Sequence, residues 1–208
     1  MIWETTLLMV FGYLFGSVPS GLVTGYLWLR RDIRQVGSGK TGSTNVLRTA
    51  GPYAAAFVLI ADIAKGAVPG AIGFYLLDHS WAGALGAGAA VAGHVWPVFA
   101  GFRGGRGVAT GYGGVLGMTP LLSIAFPLLA ALILLPTRIV SLMSVVGTPL
   151  SAAILVVAWL LGWEPFPVVA YAFFVVGVVE YQHLPNIRRL LDGTEPRMGQ
   201  GGDRPATG

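Results

Sequence analysis

Gly107-Val108-Ala109-Thr110-Gly111-Tyr112-Gly113-Gly114-Val115-Leu116-Gly117-Met118-Thr119-Pro120 opens a stretch without charged residues that runs on to Thr137. How this stretch divides decides the architecture. As one helix it crosses a membrane once, because a hydrocarbon core takes roughly 20 apolar residues. Divided at Met118-Thr119-Pro120, where proline interrupts a helix, it crosses twice. Uncharged stretches also run from Thr5 to Leu29 and from Ile139 to Trp163. The chain has 208 residues, 54% hydrophobic and only 11% charged, with a mean hydropathy of +0.71. A soluble domain carries about 25% charged residues, so this surface is built for lipid. The sequence predicts one all-α polytopic membrane domain over 1–208, with an unstructured tail from about residue 198.

Spans are expected near 4–29, 52–77, 81–99, 107–118, 120–136, 139–162 and 165–182. The first is not read as a cleaved leader: Glu4 precedes it, no basic segment does, and the apolar run is too long. The loop from Arg30 to Gly51 holds Arg30, Arg31, Arg34, Lys40 and Arg48 against Asp32 alone. Arg103 and Arg106 fall in the next basic segment, and Arg188, Arg189, Arg197 and Arg204 in the tail. The turn at 77–80 has Asp78 and His79 but no Lys or Arg. Lys and Arg mark cytoplasmic loops, so the N-terminus is expected outside and the C-terminus in the cytoplasm. Seven spans put Arg138 inside with the basic tail. A five-span alternative keeps 107–136 as one helix and lays 165–182 in the interface.

Cysteine is absent, which excludes disulfides, thiol nucleophiles and thiolate metal sites. No Asp cluster offers a metal site, and no cofactor or nucleic acid is expected. The first basic loop reads Gly37-Ser38-Gly39-Lys40-Thr41-Gly42-Ser43-Thr44-Asn45-Val46-Leu47-Arg48. Its glycines match G-x-G-x-x-G in form, but that motif needs a βαβ setting, and the P-loop reading would need glycine where Arg34 stands. The underlying physics remains. Glycines let successive N–H groups converge on an anion. Ser38, Ser43, Thr44 and Asn45 add short donors before a helix start, and Arg48 adds a forked donor for phosphate. Asp62 and Lys65 share a helix face inside a span, where charge marks either function or a structural ion pair. The segment Gly101-Phe102-Arg103-Gly104-Gly105-Arg106-Gly107 repeats the pairing of glycine with arginine, after His94. In the tail, His183 and Asn186 share a face if the helix continues through Pro185.

These stretches resemble the bacterial acyl-phosphate:glycerol-3-phosphate acyltransferases. The similarity lies in Gly16–Gly21, Gly37–Arg48, Asp62-Ile63-Ala64-Lys65-Gly66, Gly93-His94 through Gly111, and His183 through Pro196. Lys40 stands where the family usually has Asn, and Arg103 and Arg106 where lysines are common. The resemblance implies seven helices in a bacterial inner membrane and a site open to the cytoplasm. It implies transfer of an acyl group from acyl phosphate to position 1 of glycerol 3-phosphate, giving lysophosphatidate and phosphate. It carries substrate or catalytic roles to Ser38, Gly42, Thr44, Asn45, Arg48, Arg106, His183 and Asn186. Ser38, Arg48, His183 and Asn186 are assigned to catalysis; Gly42, Ser43, Thr44, Asn45, Lys65, Arg103 and Arg106 are assigned to substrate binding. A monomer in lipid is expected.

No histidine begins an H-x-x-x-x-D acyltransferase arrangement. Direct attack by the glycerol hydroxyl on the acyl carbonyl is expected, with the proton passing to a phosphate oxygen or, in a competing version, to His183. The loop 38–45 would hold the leaving phosphate, and Arg48, Arg106, His183 and Asn186 the glycerol 3-phosphate. A small anion transporter with glycine-rich gates is the alternative of a different class.

Overall fold

A computed structural model of the chain describes residues 2–199; beyond Gly199 the expected unstructured tail lies outside the described residues. The architecture is all helical. The first apolar stretch is divided: α1 (Ile2–Gly16) ends before Pro19, and α2 (Ser20–Thr24) continues into a π turn, Gly25–Leu29. A long loop then leads to the short α3 (Ser43–Ala50) and to α4 (Pro52–Ala71), which opens with proline where no N–H is needed. After α5 (Ser80–Val95) the chain turns back through Gly101–Gly107 into α6 (Val108–Met118). The remaining helices are α7 (Pro120–Ser123), α8 (Ala125–Thr137), α9 (Val140–Leu160) and α10 (Phe166–Leu191).

Among the described residues, six helical segments are long and apolar enough to cross a membrane. α6 is not one of them. Its 11 residues span about 16 Å, roughly half a hydrocarbon core. It stops where the sequence predicts: Thr119 leaves helical geometry at ψ 69°, and Pro120 starts the next helix. The Tyr75 hydroxyl donates to the freed Met118 carbonyl at 2.8 Å. The single helix of the five-span alternative is therefore not found. Nor does 165–182 lie apart from the bundle, since α10 packs along α9, α5 and α6. At the α8–α9 turn, Met198 N–H donates to the Arg138 carbonyl at 2.7 Å, so Arg138 and the tail share one end of the bundle.

α6 is an interior helix. A methyl group on Gly113 would collide with the Ile63 backbone of α4, and one on Gly66 with the Thr110 backbone of α6. Such glycines let membrane helices approach closely enough for backbone packing to replace the missing hydrophobic drive. Val91, Val115, Met118, Leu155, Val168 and Val179 fill the space where α5, α6, α9 and α10 meet. α8 is the opposite case: 11% of its apolar window is buried, against 61% for the segment containing α5, so α8 faces lipid.

Gly113→Ala should force α4 from α6 at a cost of about 1–3 kcal/mol, the usual range for overpacking. Thermal unfolding in detergent checks this. Gly177→Ala, where nothing lies within 4 Å of the added methyl group, should not lower the midpoint and should raise it slightly, because alanine is favoured over glycine inside a helix by about 0.5–1 kcal/mol.

Candidate active site

The three basic segments meet at one end of the bundle. Arg34, paired with Asp32 at 2.8 Å, also donates to the Ala100 carbonyl at 2.9 Å, tying the first loop to the second. Lys40 Nζ donates to Gln182 Oε1 of α10 at 3.3 Å. Glu195 gathers the rest. It accepts from Ser141 at the start of α9 (2.7 Å), from Asn186 of α10 (2.6 Å) and from Arg189 (2.7 Å). Its side chain is only 7% exposed. Burial works to raise its pKa, but the hydrogen bonds from Ser141, Asn186 and Arg189 outweigh burial and hold it below the usual carboxylate value.

Asn45 organises the first loop. Its Oδ1 accepts from Ser38 N–H at 2.9 Å, and its Nδ2 donates to the carbonyls of Ile33, Val36 and Lys40. The Asn45 amide is thus spent on the loop itself. The N–H groups of Lys40, Thr41, Gly42, Ser43 and Thr44 have no acceptor among the described residues. Ser38, Lys40, Gly42, Ser43 and Thr44 line a cavity of about 420 Å³ together with Arg106 and His183. The far part of this cavity is apolar, walled by Val108 and Val115 of α6, Phe126 of α8, Met143 and Leu155 of α9 and Val175 of α10.

Positive charge at the polar end is poorly compensated. Burial pulls the Arg106 guanidinium down to about 10; Glu195 opposes that shift, while Arg189 and Arg48 add to it. Its Nε is buried without a hydrogen-bond partner among the described residues. Burial also lowers Lys40, and repulsion from Arg106 and Arg103 lowers it further. A site in which cations depress one another is arranged for an anion.

α10 does continue through Pro185, and His183 and Asn186 are 1% and 3% exposed. His183 Nδ1 lies 2.8 Å from the Val179 carbonyl. A carbonyl only accepts, so Nδ1 carries the proton and Nε2 is left as an acceptor. Not every candidate residue reaches the cavity. Arg48 lines a neighbouring one of about 580 Å³, which shares Ser43 and Thr44 and opens between α4, α8 and α9. Asn186 stands behind His183, bonded to Glu195. Arg103 is exposed on the loop, and Lys65 is buried against Asp62 at 2.7 Å and lines neither cavity. Sequence reasoning missed Gln182 and the work of Glu195, and left Asp62 and His94, which both line the cavity, outside the assigned site. The signal for Glu195 was an acid beside Pro196, one of two with Asp192 between Arg189 and Arg197.

A family model described as glycerol-3-phosphate acyltransferase matches residues 6–193. The chain belongs to the glycerol-3-phosphate acyltransferase family. Curated relatives of that name include those of Rubrobacter xylanophilus, 40% identical over 93% of this chain and 94% of the relative, and Synechococcus sp. CC9902, 41% identical over 97% and 99%. The fold is similar to the crystal structure of PlsY (YgiH), an integral membrane glycerol 3-phosphate acyltransferase, in its glycerol 3-phosphate form. That similarity has a TM-score of 0.85 and 36% identity over 94% of this chain and 96% of that one. The lysophosphatidic acid form gives a TM-score of 0.83. A glycerol-3-phosphate acyltransferase is an enzyme, and the transporter alternative is not favoured.

Glu195→Gln should lower thermal stability by roughly 1–3 kcal/mol, as expected for weakening a shielded charge-assisted network that has one partly exposed partner. Because the folded pKa of Glu195 lies below its unfolded value, its contribution is complete above about pH 4.3 and is lost as pH falls through the folded value. Unfolding midpoints followed against pH should show that acid-side loss in the wild type and its reduction in the variant.

Proposed function

We propose that this chain transfers a fatty acyl group from an acyl phosphate to the sn-1 hydroxyl of glycerol 3-phosphate, the first acylation of phospholipid synthesis. The observation that carries the reading is one cavity with a cationic, N–H-rich end and an apolar end. The first suits phosphate groups; the second suits an acyl chain. Acyl phosphate is already activated, so positioning and charge stabilisation supply most of what the enzyme must add.

The glycerol hydroxyl oxygen forms the new ester bond to the acyl carbon, and the carbon–oxygen bond to phosphate breaks. The loop 38–44, with Lys40, receives the leaving phosphate, while Arg106 holds that of glycerol 3-phosphate, with Arg48 beyond the shared Ser43 and Thr44 wall adding charge from the neighbouring cavity. Asn45 acts by shaping the loop, and Asn186 by backing His183 through Glu195. The hydroxyl proton ends on the departing phosphate. The fixed tautomer of His183 favours the version in which Nε2 takes that proton first. His183→Ala should then lower kcat at least 100-fold with little change in KM. A rise in KM alone would remove the base role and leave the proton to the donor phosphate.

The donor is tested by presenting purified protein with acyl phosphate, acyl-CoA and acyl carrier protein thioester. Lysophosphatidate and free phosphate should appear in equal amounts with the first alone. Activity only with the thioesters would overturn the donor assignment, and a trapped acyl-protein would overturn direct transfer.

The basic end is read as cytoplasmic by the Lys and Arg rule, in a bacterial inner membrane. α6 serves as a short fourth of seven spans, and the N-terminus lies outside. A monomer in lipid is the proposed working unit. Single cysteines at Asp78 and Arg138, in a chain with none of its own, test the topology. In right-side-out vesicles an impermeant maleimide should label the first and spare the second; labelling at Arg138 would overturn the seven-span order.

A further inference from the structure

The motifs around Ser20, Asp62 and His94 have no part in the chemistry above, yet the fold brings them to one point. Asp62 Oδ1 accepts from Ser20 Oγ at 2.6 Å and from Lys65 Nζ at 2.7 Å, and Lys65 Nζ also donates to Ser20 Oγ at 2.9 Å. His94 Nδ1 faces the same Asp62 oxygen at 3.5 Å. All four residues are at least nine-tenths buried. An ion pair made only for stability is complete with Asp62 and Lys65. The third group, His94, touches something else.

The Gly105 N–H donates to the His94 carbonyl at 3.1 Å, and the Gly104 N–H to that of Val95 at 3.2 Å. The His94 ring lies against Gly105 with its Nε2 foremost, so that a methyl group there would collide with it. The next residue is Arg106, on the cavity wall. Asp62 and His94 reach that wall as well, whereas Ser20 and Lys65 do not. The contacts therefore run in one direction. Ser20 and Lys65 hold Asp62, Asp62 holds the His94 ring, and the ring sets the backbone that presents Arg106.

We propose that Asp62 and His94 are positioning residues that fix the Arg106 guanidinium for the phosphate of glycerol 3-phosphate. This rests on the reading of Arg106 as a ligand of that phosphate. His94→Asn keeps a donor for Asp62 and removes the ring. It should raise KM for glycerol 3-phosphate about tenfold, with kcat within about threefold of wild type. In an Arg106→Lys background the same change should cost less than threefold, because two residues acting through one contact are not additive.

A full tenfold loss in that background, or an unchanged KM in the single variant, overturns the positioning role. If Arg106→Lys and Arg106→Gln both leave KM unaltered, it is the reading of Arg106 that fails. Should His94→Asn not fold, His94→Phe keeps a ring against Gly105 without the bond to Asp62. It should raise KM at least threefold, and an unchanged value would overturn the role.

Discussion

The organising constraint is positive charge crowded at one end of an apolar bundle, with Glu195 as the carboxylate that ties the helix ends there together. Glu195 joins the start of α9 to the end of α10 and reaches Arg106 through space. It leaves Arg106 and Lys40 short of counter-charge, and burial makes that shortage costly. A phosphate entering the cavity relieves it. The same interaction thus holds the helices together at the membrane surface and creates the demand for an anionic substrate.

The rest of the bundle determines where that charge can sit. Close packing of α6 on α4 places the glycine-rich loop before α6 at the mouth of the cavity. The short length of α6, with α8 displaced toward lipid, leaves an apolar passage between α6, α8, α9 and α10. An acyl chain in that passage stays in a lipid-like setting while its head meets the loop 38–44. The second cavity, with Arg48 on its wall and an opening between α4 and α8, shares Ser43 and Thr44 of α3 with the first.

Much of this was legible in the sequence. The uncharged runs mark the helices, Thr119-Pro120 marks the break in the most ambiguous one, and the glycine and hydroxyl residues of 37–45 mark the loop that lines the cavity. Asn45 was read as a ligand because its type suits one. The four hydrogen bonds by which it closes the loop depend on where Ile33, Val36, Ser38 and Lys40 come to lie. Spacing showed Asp62 and Lys65 on one helix face, but nothing local foretells Ser20 or His94 beside them. Glu195 was hidden for the same reason, since it meets Ser141 across 54 positions of chain. Local pattern reveals helices and loops; partners distant in sequence appear only when the bundle closes.

The claim that uncompensated charge at Arg106 holds the phosphate is tested most directly by calorimetric titration of glycerol 3-phosphate into the purified protein and its Arg106→Gln variant. Loss of a charge-assisted contact of this kind weakens binding by about 2 kcal/mol or more, so affinity should fall at least tenfold. Equal affinity in the two proteins would contradict the account.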